Sequence, residues 1–152
     1  MQIVDFKPEY ASAFDRLNRE WLERFFRVEE VDRVILSDPQ GEVIDHGGHI
    51  LFALVDSEVV GTVALKHQGE GRFELTKMAV TEGFQGQGLG RALMLAAIER
   101  YHAIAGASLF LESHSSLKTA IGLYESAGFC HETHPGGSDY ERSDTYMVYR
   151  GP

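Results

Sequence analysis

Four glycines fall within eight residues, Gly83, Gly86, Gly88 and Gly90, around the run Gln85-Gly86-Gln87-Gly88-Leu89-Gly90. A strand-like stretch precedes them and a helix-like one follows. Such a junction leaves backbone N–H groups pointing outward, and the helix dipole favours an anion there. Glycines let the chain approach a ligand closely, at an entropic cost that a plain turn does not require. The chemistry suggested is phosphate binding. Two familiar phosphate loops do not fit. Gly83 to Gly88 has the gap of a Walker loop, but Leu89 stands where that loop needs lysine. Gly86 and Gly88 have dinucleotide spacing, with Glu112 where a ribose-binding acid could sit, but Arg91 takes the third glycine position. A helix start with glycines only for turning is the plain alternative.

Other residues with chemical potential are weaker. Cys130 next to His131 is not a nucleophile–base pair, because strand neighbours point to opposite faces. It reads as a buried, inert thiol. His46-x-x-His49 and His131-x-x-His134 lack further ligands at a recognisable spacing, so no metal site is expected. Tyr124 has Leu117, Ala120 and Ile121 one or two turns behind it, which turns its ring inward on a helix. From spacing alone it is a core tyrosine with a satisfied hydroxyl.

The elements that position these residues follow from hydrophobic period and punctuation. Residues 2–6 read as a strand. From Pro8 to Phe26 a helical stripe runs through Tyr10, Phe14, Leu17, Trp21, Leu22 and Phe25. A shorter helix spans Glu29 to Ser37 and stops at Asp38-Pro39. Strands are predicted at 49–55, 59–66 and 73–80, as a meander. A helix follows from Leu89 to Ala105, burying Leu89, Leu93, Ala96, Ala97, Tyr101 and Ile104, with Gly106 to end it. Then come a strand at 108–112, a helix from Leu117 to Ala127 capped by Ser115 or Ser116 and ended by Gly128, and strands at 129–133 and 143–149. The order is β-α-α-β-β-β-α-β-α-β-β. This is an α+β chain with one strand-loop-helix crossover in a mixed sheet, read as a single domain over residues 1–152.

Composition narrows the setting. The chain has 152 residues, 43% of them hydrophobic, enough for one sizeable core. A net charge of −9 repels phosphate backbones, so nucleic acid is not an expected partner. The same charge can steer cationic substrates such as amines, or serve solubility alone. One cysteine excludes an intrachain disulfide framework. No apolar run approaches the roughly 18–20 residues that span a bilayer, and Met1 to Phe6 does not read as a signal peptide. A soluble cytoplasmic protein, with no membrane partner, is the expectation.

Gln85-x-x-Gly88-x-Gly90 resembles the pyrophosphate-binding signature of the GNAT superfamily of acetyl-CoA-dependent N-acetyltransferases. Upstream, Glu74-Leu-Thr-Lys-Met-Ala-Val80 looks like that family's fourth strand. Downstream, Leu123-Tyr-Glu-Ser-Ala-Gly-Phe129 looks like its last-helix motif. The resemblance covers most of the chain and is weakest over residues 8–46, where acceptor specificity resides in the family.

The resemblance implies roles. Acetyl-CoA is the co-substrate, without a metal. Its pyrophosphate would meet Gln85, Gly86, Gln87, Gly88, Leu89, Gly90 and Arg91, and its pantetheine arm the backbone of Met78, Ala79 and Val80 as a strand-like partner. Glu74 matches a base position, and Tyr124 matches the tyrosine that protonates the departing sulfur. The cofactor would lie in a V between the strands at 73–80 and 108–112. Trp21, Phe25, Phe26, Glu112 and the loop from Tyr140 to Thr145 are candidates for the acceptor side. The acceptor is a small-molecule or peptide amine, and the family often forms homodimers. One position departs from the pattern: Leu117 stands where many members carry asparagine near the CoA arm, with His114 close by to take a related role. A non-catalytic acyl-CoA-binding protein on the same fold is the alternative, against which the retention of both Tyr124 and Glu74 counts.

Overall fold

The computed structural model describes residues 1–151. Seven strands form one sheet: β1 (Gln2–Asp5), β2 (His49–Val55), β3 (Glu58–His67), β4 (Arg72–Val80), β5 (Ser108–Ser113), β6 (Phe129–His131) and β7 (Thr145–Tyr149). Their spatial order is β1-β2-β3-β4-β5-β7-β6. Every pairing is antiparallel except β4 with β5. The helices are α1 (Ala11–Phe25), α2 (Glu30–Ser37), a single turn α3 (Pro39–Glu42), α4 (Leu89–Ala103) and α5 (Lys118–Ala127). The mixed sheet and element order expected from sequence are those found, with short 3-10 turns and α3 added. No described helix is long and apolar enough to cross a membrane.

Each face of the sheet has its own core. On one, α1 and α2 bury Phe14, Leu22, Ile35 and Leu36 against Ile50, Phe52 and Ala64. On the other, α4 buries Leu93, Met94, Ala97 and Ile98 against Leu51, Val63, Leu109 and Met147. The buried stripe of α4 differs from the expected one: Ala96 and Ile104 are only half-buried, while Met94 and Ile98 are covered. This helix is apolar on most of its circumference, so period alone did not select the face.

Two irregularities shape the centre. Between β3 and β4, Thr62 pairs with Ala79 and Ala64 with Thr76, so Val63 alone faces Lys77 and Met78. This is a β-bulge, and Lys77 takes a left-handed φ of 54° to make it. Without the bulge, Lys77 and Ala79 would follow Phe73 and Leu75 onto the α4 face. With it, Met78 and Val80 take that face. The second irregularity is the β4–β5 ladder, which pairs Arg72 with Ser108, Phe73 with Leu109 and Glu74 with Phe110, and then stops. Beyond Phe110, β5 follows β7 instead, and the two parallel strands part into the expected V.

The helix ends correct two expectations. Gly128 ends α5 at φ 111°, as a left-handed cap should. Gly106 does not play that part for α4. Ala105 is the left-handed residue, and Gly106 N–H donates to Tyr101 O at 3.1 Å while Ala105 N–H donates to His102 O at 3.0 Å, a Schellman closure. Gly106 is small because a Cβ there would sit 2.4 Å from the Tyr101 ring. Neither Ser115 nor Ser116 caps α5, whose N-cap is Leu117 without a side-chain bond. Ser115 is held by Asp144 through its N–H at 2.7 Å and its hydroxyl at 2.6 Å.

The Gly106 contact gives a stability test. Gly106→Ala should destabilise the fold by about 2 kcal/mol, the usual scale of core overpacking. A thermal melt would then fall by roughly 4–8 °C. An unchanged melting temperature would show that the Tyr101 ring is not the constraint.

Candidate active site

The V opens onto a cleft that passes from one face of the sheet to the other. Trp21 reaches it from α1 and Phe26 from just beyond that helix, Met78 from β4, His114 and Leu117 from the segment before α5, and Tyr124 from α5 itself. Glu74 lies at the apex, in the last β4–β5 pair. Its side chain belongs to the α1–α2 face, opposite Lys66 of β3. It is 5% exposed, and Gln68 Nε2 donates to its Oε1 at 3.2 Å. Burial pushes its carboxyl up to about 7, with the nearby Glu112 charge adding to the rise and Lys77 opposing it. A carboxylate that titrates near neutrality is suited to accept a proton from an amine.

Glu112 of β5 shares that wall. His134 Nε2 stands 2.8 Å from its Oε1, but off the line of the ring N–H, so that buried oxygen accepts no hydrogen bond. Tyr124 packs its ring against Phe129 at 6.2 Å, and burial pushes its hydroxyl up to about 12. It therefore stays protonated over the working pH range and is a donor.

A buried ionic knot braces the same region. The start of α2 carries a capping box in which Glu29 and Asp32 satisfy each other's backbone N–H groups. Lys77 Nζ, turned inward by the bulge, donates to Asp32 Oδ1 at 2.7 Å and to Tyr140 Oη at 3.1 Å. Arg142 donates to both Asp32 oxygens, at 2.7 and 2.9 Å, and to Glu29 at 3.0 Å. Burial disfavours the Asp32 charge, but the Arg142 hydrogen bonds and the Lys77 charge overcome it and hold the carboxyl at about 2. Burial pushes the Lys77 ammonium down and the Tyr140 hydroxyl up. Asp32 and Lys77 were not among the expected site residues, whereas Arg142 belongs to the loop from Tyr140 to Thr145 expected on the acceptor side. Two signals point to the first two: a paired-acid capping box, and a lone cation inside the apolar run from Leu75 to Val80.

The glycine loop lies outside the V, at the start of α4. Gly86 and Gly88 sit at φ 78° and 81°, which only glycine adopts cheaply. A Cβ built on Gly83, Gly86, Gly88 or Gly90 meets no atom within 4 Å. Nothing in the fold itself thus demands glycine at 83 or 90. Among the described residues, the N–H groups from Gly86 to Arg91 donate to no protein acceptor. The Gln85 side chain has a different place: its Nε2 donates to Val80 O at 2.9 Å, pinning the loop to the end of β4. The Arg91 guanidinium reaches Ser126 of α5 at 3.2 Å, leaving its amide on the cradle side.

The remaining expectations divide. Trp21, Glu112 and Tyr140 line the cleft, and so does Phe26. Phe25 does not: it is 43% exposed and stacks outside on Trp21. Ala79 is buried against the sheet and Val80 half-buried, so of the three arm positions only Met78 lines the cleft. His114 does reach the cleft, braced by Ser116 Oγ at 2.7 Å and edge-on to Phe26. Cys130 is exposed on the outer strand β6, not buried, because β6 has no neighbour beyond it. Among the described residues no three His, Cys, Asp or Glu side chains are grouped to hold a metal.

Comparison with known proteins places this architecture. Residues 11–129 match the acetyltransferase (GNAT) family. The chain belongs to that family. It is 44% identical over 81 residues to the [ribosomal protein bS18]-alanine N-acetyltransferase of Escherichia coli, covering 53% of this chain and 55% of that one. A GNAT-family acetyltransferase structure from Staphylococcus aureus superposes with a TM-score of 0.86 at 15% identity, over 97% of both chains. The PaiA N-acetyltransferase of Thermoplasma acidophilum, solved in complex with coenzyme A, gives 0.74 at 20% identity over 98% of this chain and 99% of that one. The chain spans between 30% and 65% of the length of the curated relatives it matches.

The raised Glu74 pKa has a consequence for stability. A carboxyl that ionises near 4.5 when unfolded and about 7 when folded stabilises the fold fully below the lower value. That contribution, about 3 kcal/mol, is lost as pH rises through the folded pKa. Urea unfolding at pH 4.5 and pH 8 should show this loss in the wild type and not in Glu74→Gln. Equal losses in the two proteins would mean that Glu74 is not perturbed.

Proposed function

We propose that this chain transfers the acetyl group of acetyl-CoA to a primary amine by direct attack in a ternary complex. The observation carrying the reading is a near-neutral carboxyl, Glu74, at the apex of a V flanked by an unpaired N–H cradle. The free N–H groups from Gly86 to Arg91 suit a pyrophosphate, and the space beside Gly86, Gly88 and Gly90 suits its close approach. Gln85 positions that loop. Beyond Glu74 the β4 edge facing β5 has no ladder partner, so the backbone around Met78 is available to an extended pantetheine arm. The coenzyme A seen with the Thermoplasma acidophilum neighbour agrees with this use of the fold.

In the reaction an ammonium acceptor gives its proton to Glu74 through water, and the freed lone pair attacks the thioester carbon. An alkylammonium has a pKa near ~10.4, so transfer to an ordinary glutamate is uphill by about 8 kcal/mol. With the Glu74 carboxyl at about 7, the same transfer costs about 3.5 kcal/mol less. As the C–S bond breaks, the Tyr124 hydroxyl donates to the departing sulfur. A thiol near ~8.5 is a stronger acid than this tyrosine, so the stabilisation comes chiefly from the hydrogen bond rather than from complete transfer. The nitrogen, cationic after attack, passes its second proton through water to the departing thiolate, and the product amide and free coenzyme A then leave.

Thiol release over an amine panel tests the reading. The pH–rate profile should rise with a midpoint near 7, set by Glu74. Glu74→Gln should abolish that limb, and an unshifted profile would remove Glu74 as the base. Tyr124→Phe should lower kcat about a hundredfold, whereas an unchanged rate would remove it as the donor. Gly90→Leu should raise KM for acetyl-CoA about tenfold or more, with the melting temperature held, because its Cβ meets no protein atom. Tight coenzyme A binding with no release from any amine would favour a non-catalytic binding protein.

A further inference from the structure

Three residues, Glu74, Glu112 and Tyr140, line a second cleft as well as the first. This second cleft, about 530 Å³ and open to solvent, lies on the α2 face, behind the apex of the V. It reaches Glu74 from the side opposite the unpaired β4 edge. The first cleft opens toward α1 past Trp21 and Phe26, and the second gives a separate approach to Glu74 beside α2.

Its charges are unusual for a surface that carries −9 overall. Lys66 and Arg72 both line it, on the same face of the sheet as Glu74. Among the described residues neither cation has a carboxylate partner, whereas Lys77 and Arg142 are fully committed to Asp32 and Glu29. The Arg72 guanidinium carbon sits over the Phe110 ring, 3.9 Å from its centroid, a contact that holds the group without neutralising it. Facing them, Glu112 presents a carboxylate oxygen on a side chain only 7% exposed; His134 Nε2 lies 2.8 Å away, but the oxygen accepts no hydrogen bond. Burying such an oxygen without a donor is costly. His134 and Asp139 complete the polar rim, and Val31 and Ile35 of α2 supply an apolar wall.

We infer that the acceptor is a free α-amino acid, an inference that rests on the acetyltransferase reading of this site. The amine lies between Glu74 and Glu112, its carboxylate on Lys66 and Arg72, and its side chain along Val31 and Ile35. The zwitterion sets its carboxylate against the two cations that lack a carboxylate partner and its ammonium against the two buried carboxyls. A peptide N-terminus offers an amide in place of the carboxylate and leaves the two cations without a partner. A diamine sets a second ammonium against them.

The test compares amino acids with their carboxamides and with diamines, by two readouts. The first is thiol release with acetyl-CoA. The second is calorimetric binding of the same compounds to the enzyme held with coenzyme A, which needs no turnover. Amino acids should bind and react with KM about tenfold or more below their carboxamides, as expected for loss of one charge-assisted pair. Arg72→Gln, and separately Lys66→Gln, should raise the amino-acid KM toward that of the carboxamide, with KM for acetyl-CoA unmoved. Glu112→Gln should weaken amino-acid binding in the calorimeter. Carboxamides or diamines that react as well as amino acids would overturn the inference and leave the acetyltransferase reading intact. Amino acids that bind selectively without thiol release from any amine would overturn the acetyltransferase reading and leave the binding site standing. Absence of both selective binding and selective turnover would overturn the inference.

Discussion

Strands β4 and β5 hydrogen-bond over three residue pairs and then separate. A parallel pair that parts in mid-sheet leaves backbone groups without partners and opens a passage between the two cores. Such unpaired groups are costly when dry, so the gap persists only where water or a ligand can reach it. Glu74 belongs to the last pair before the split. Its depth and its isolation both follow from that position, and with them a carboxyl that titrates in the range useful for amine chemistry.

The split is held by interactions that do little for stability. The Asp32–Lys77–Arg142 knot buries charge, and a buried ion pair typically gains no more than it loses in desolvation. Its value is geometric. Lys77 makes the bulge in β4, Asp32 begins α2, and Arg142 and Tyr140 come from the loop between β6 and β7. Two segments distant in sequence are thereby tied to the strand that forms one side of the V. The bulge itself places Met78 on the cleft, where an unbroken alternation would have placed the charged Lys77 side chain against the α4 core.

Much of this was legible in the sequence, for reasons that differ between residues. The meander, the crossover and the parting of strands 73–80 and 108–112 follow from period, punctuation and the family resemblance. The glycine loop was readable because its residue types answer to backbone geometry, and Gly86 and Gly88 do adopt positive φ. Glu74, Tyr124, Trp21, Glu112 and Tyr140 all line one cleft. Phe25 and Phe26 were not separable, because the end of α1 decides which ring turns inward and α1 stops at Phe25. Cys130 looked buried because a lone cysteine in a strand usually is, but sheet order makes β6 an outer strand. Gly106 looked like a helix terminator, while its small size answers to the Tyr101 ring across the turn. The link between the members of the ionic knot was not readable, since they lie up to 110 residues apart and no local pattern joins them.

The most direct test of the central claim is the ionisation of Glu74 itself, followed by the carboxyl carbon signal of selectively labelled protein in an NMR titration. A midpoint near 7 is expected, falling toward the ordinary value when burial is relieved by opening the cleft wall with Phe110→Ala. A midpoint in the usual glutamate range, near ~4.3, would contradict the assignment of Glu74 as the group that takes the proton.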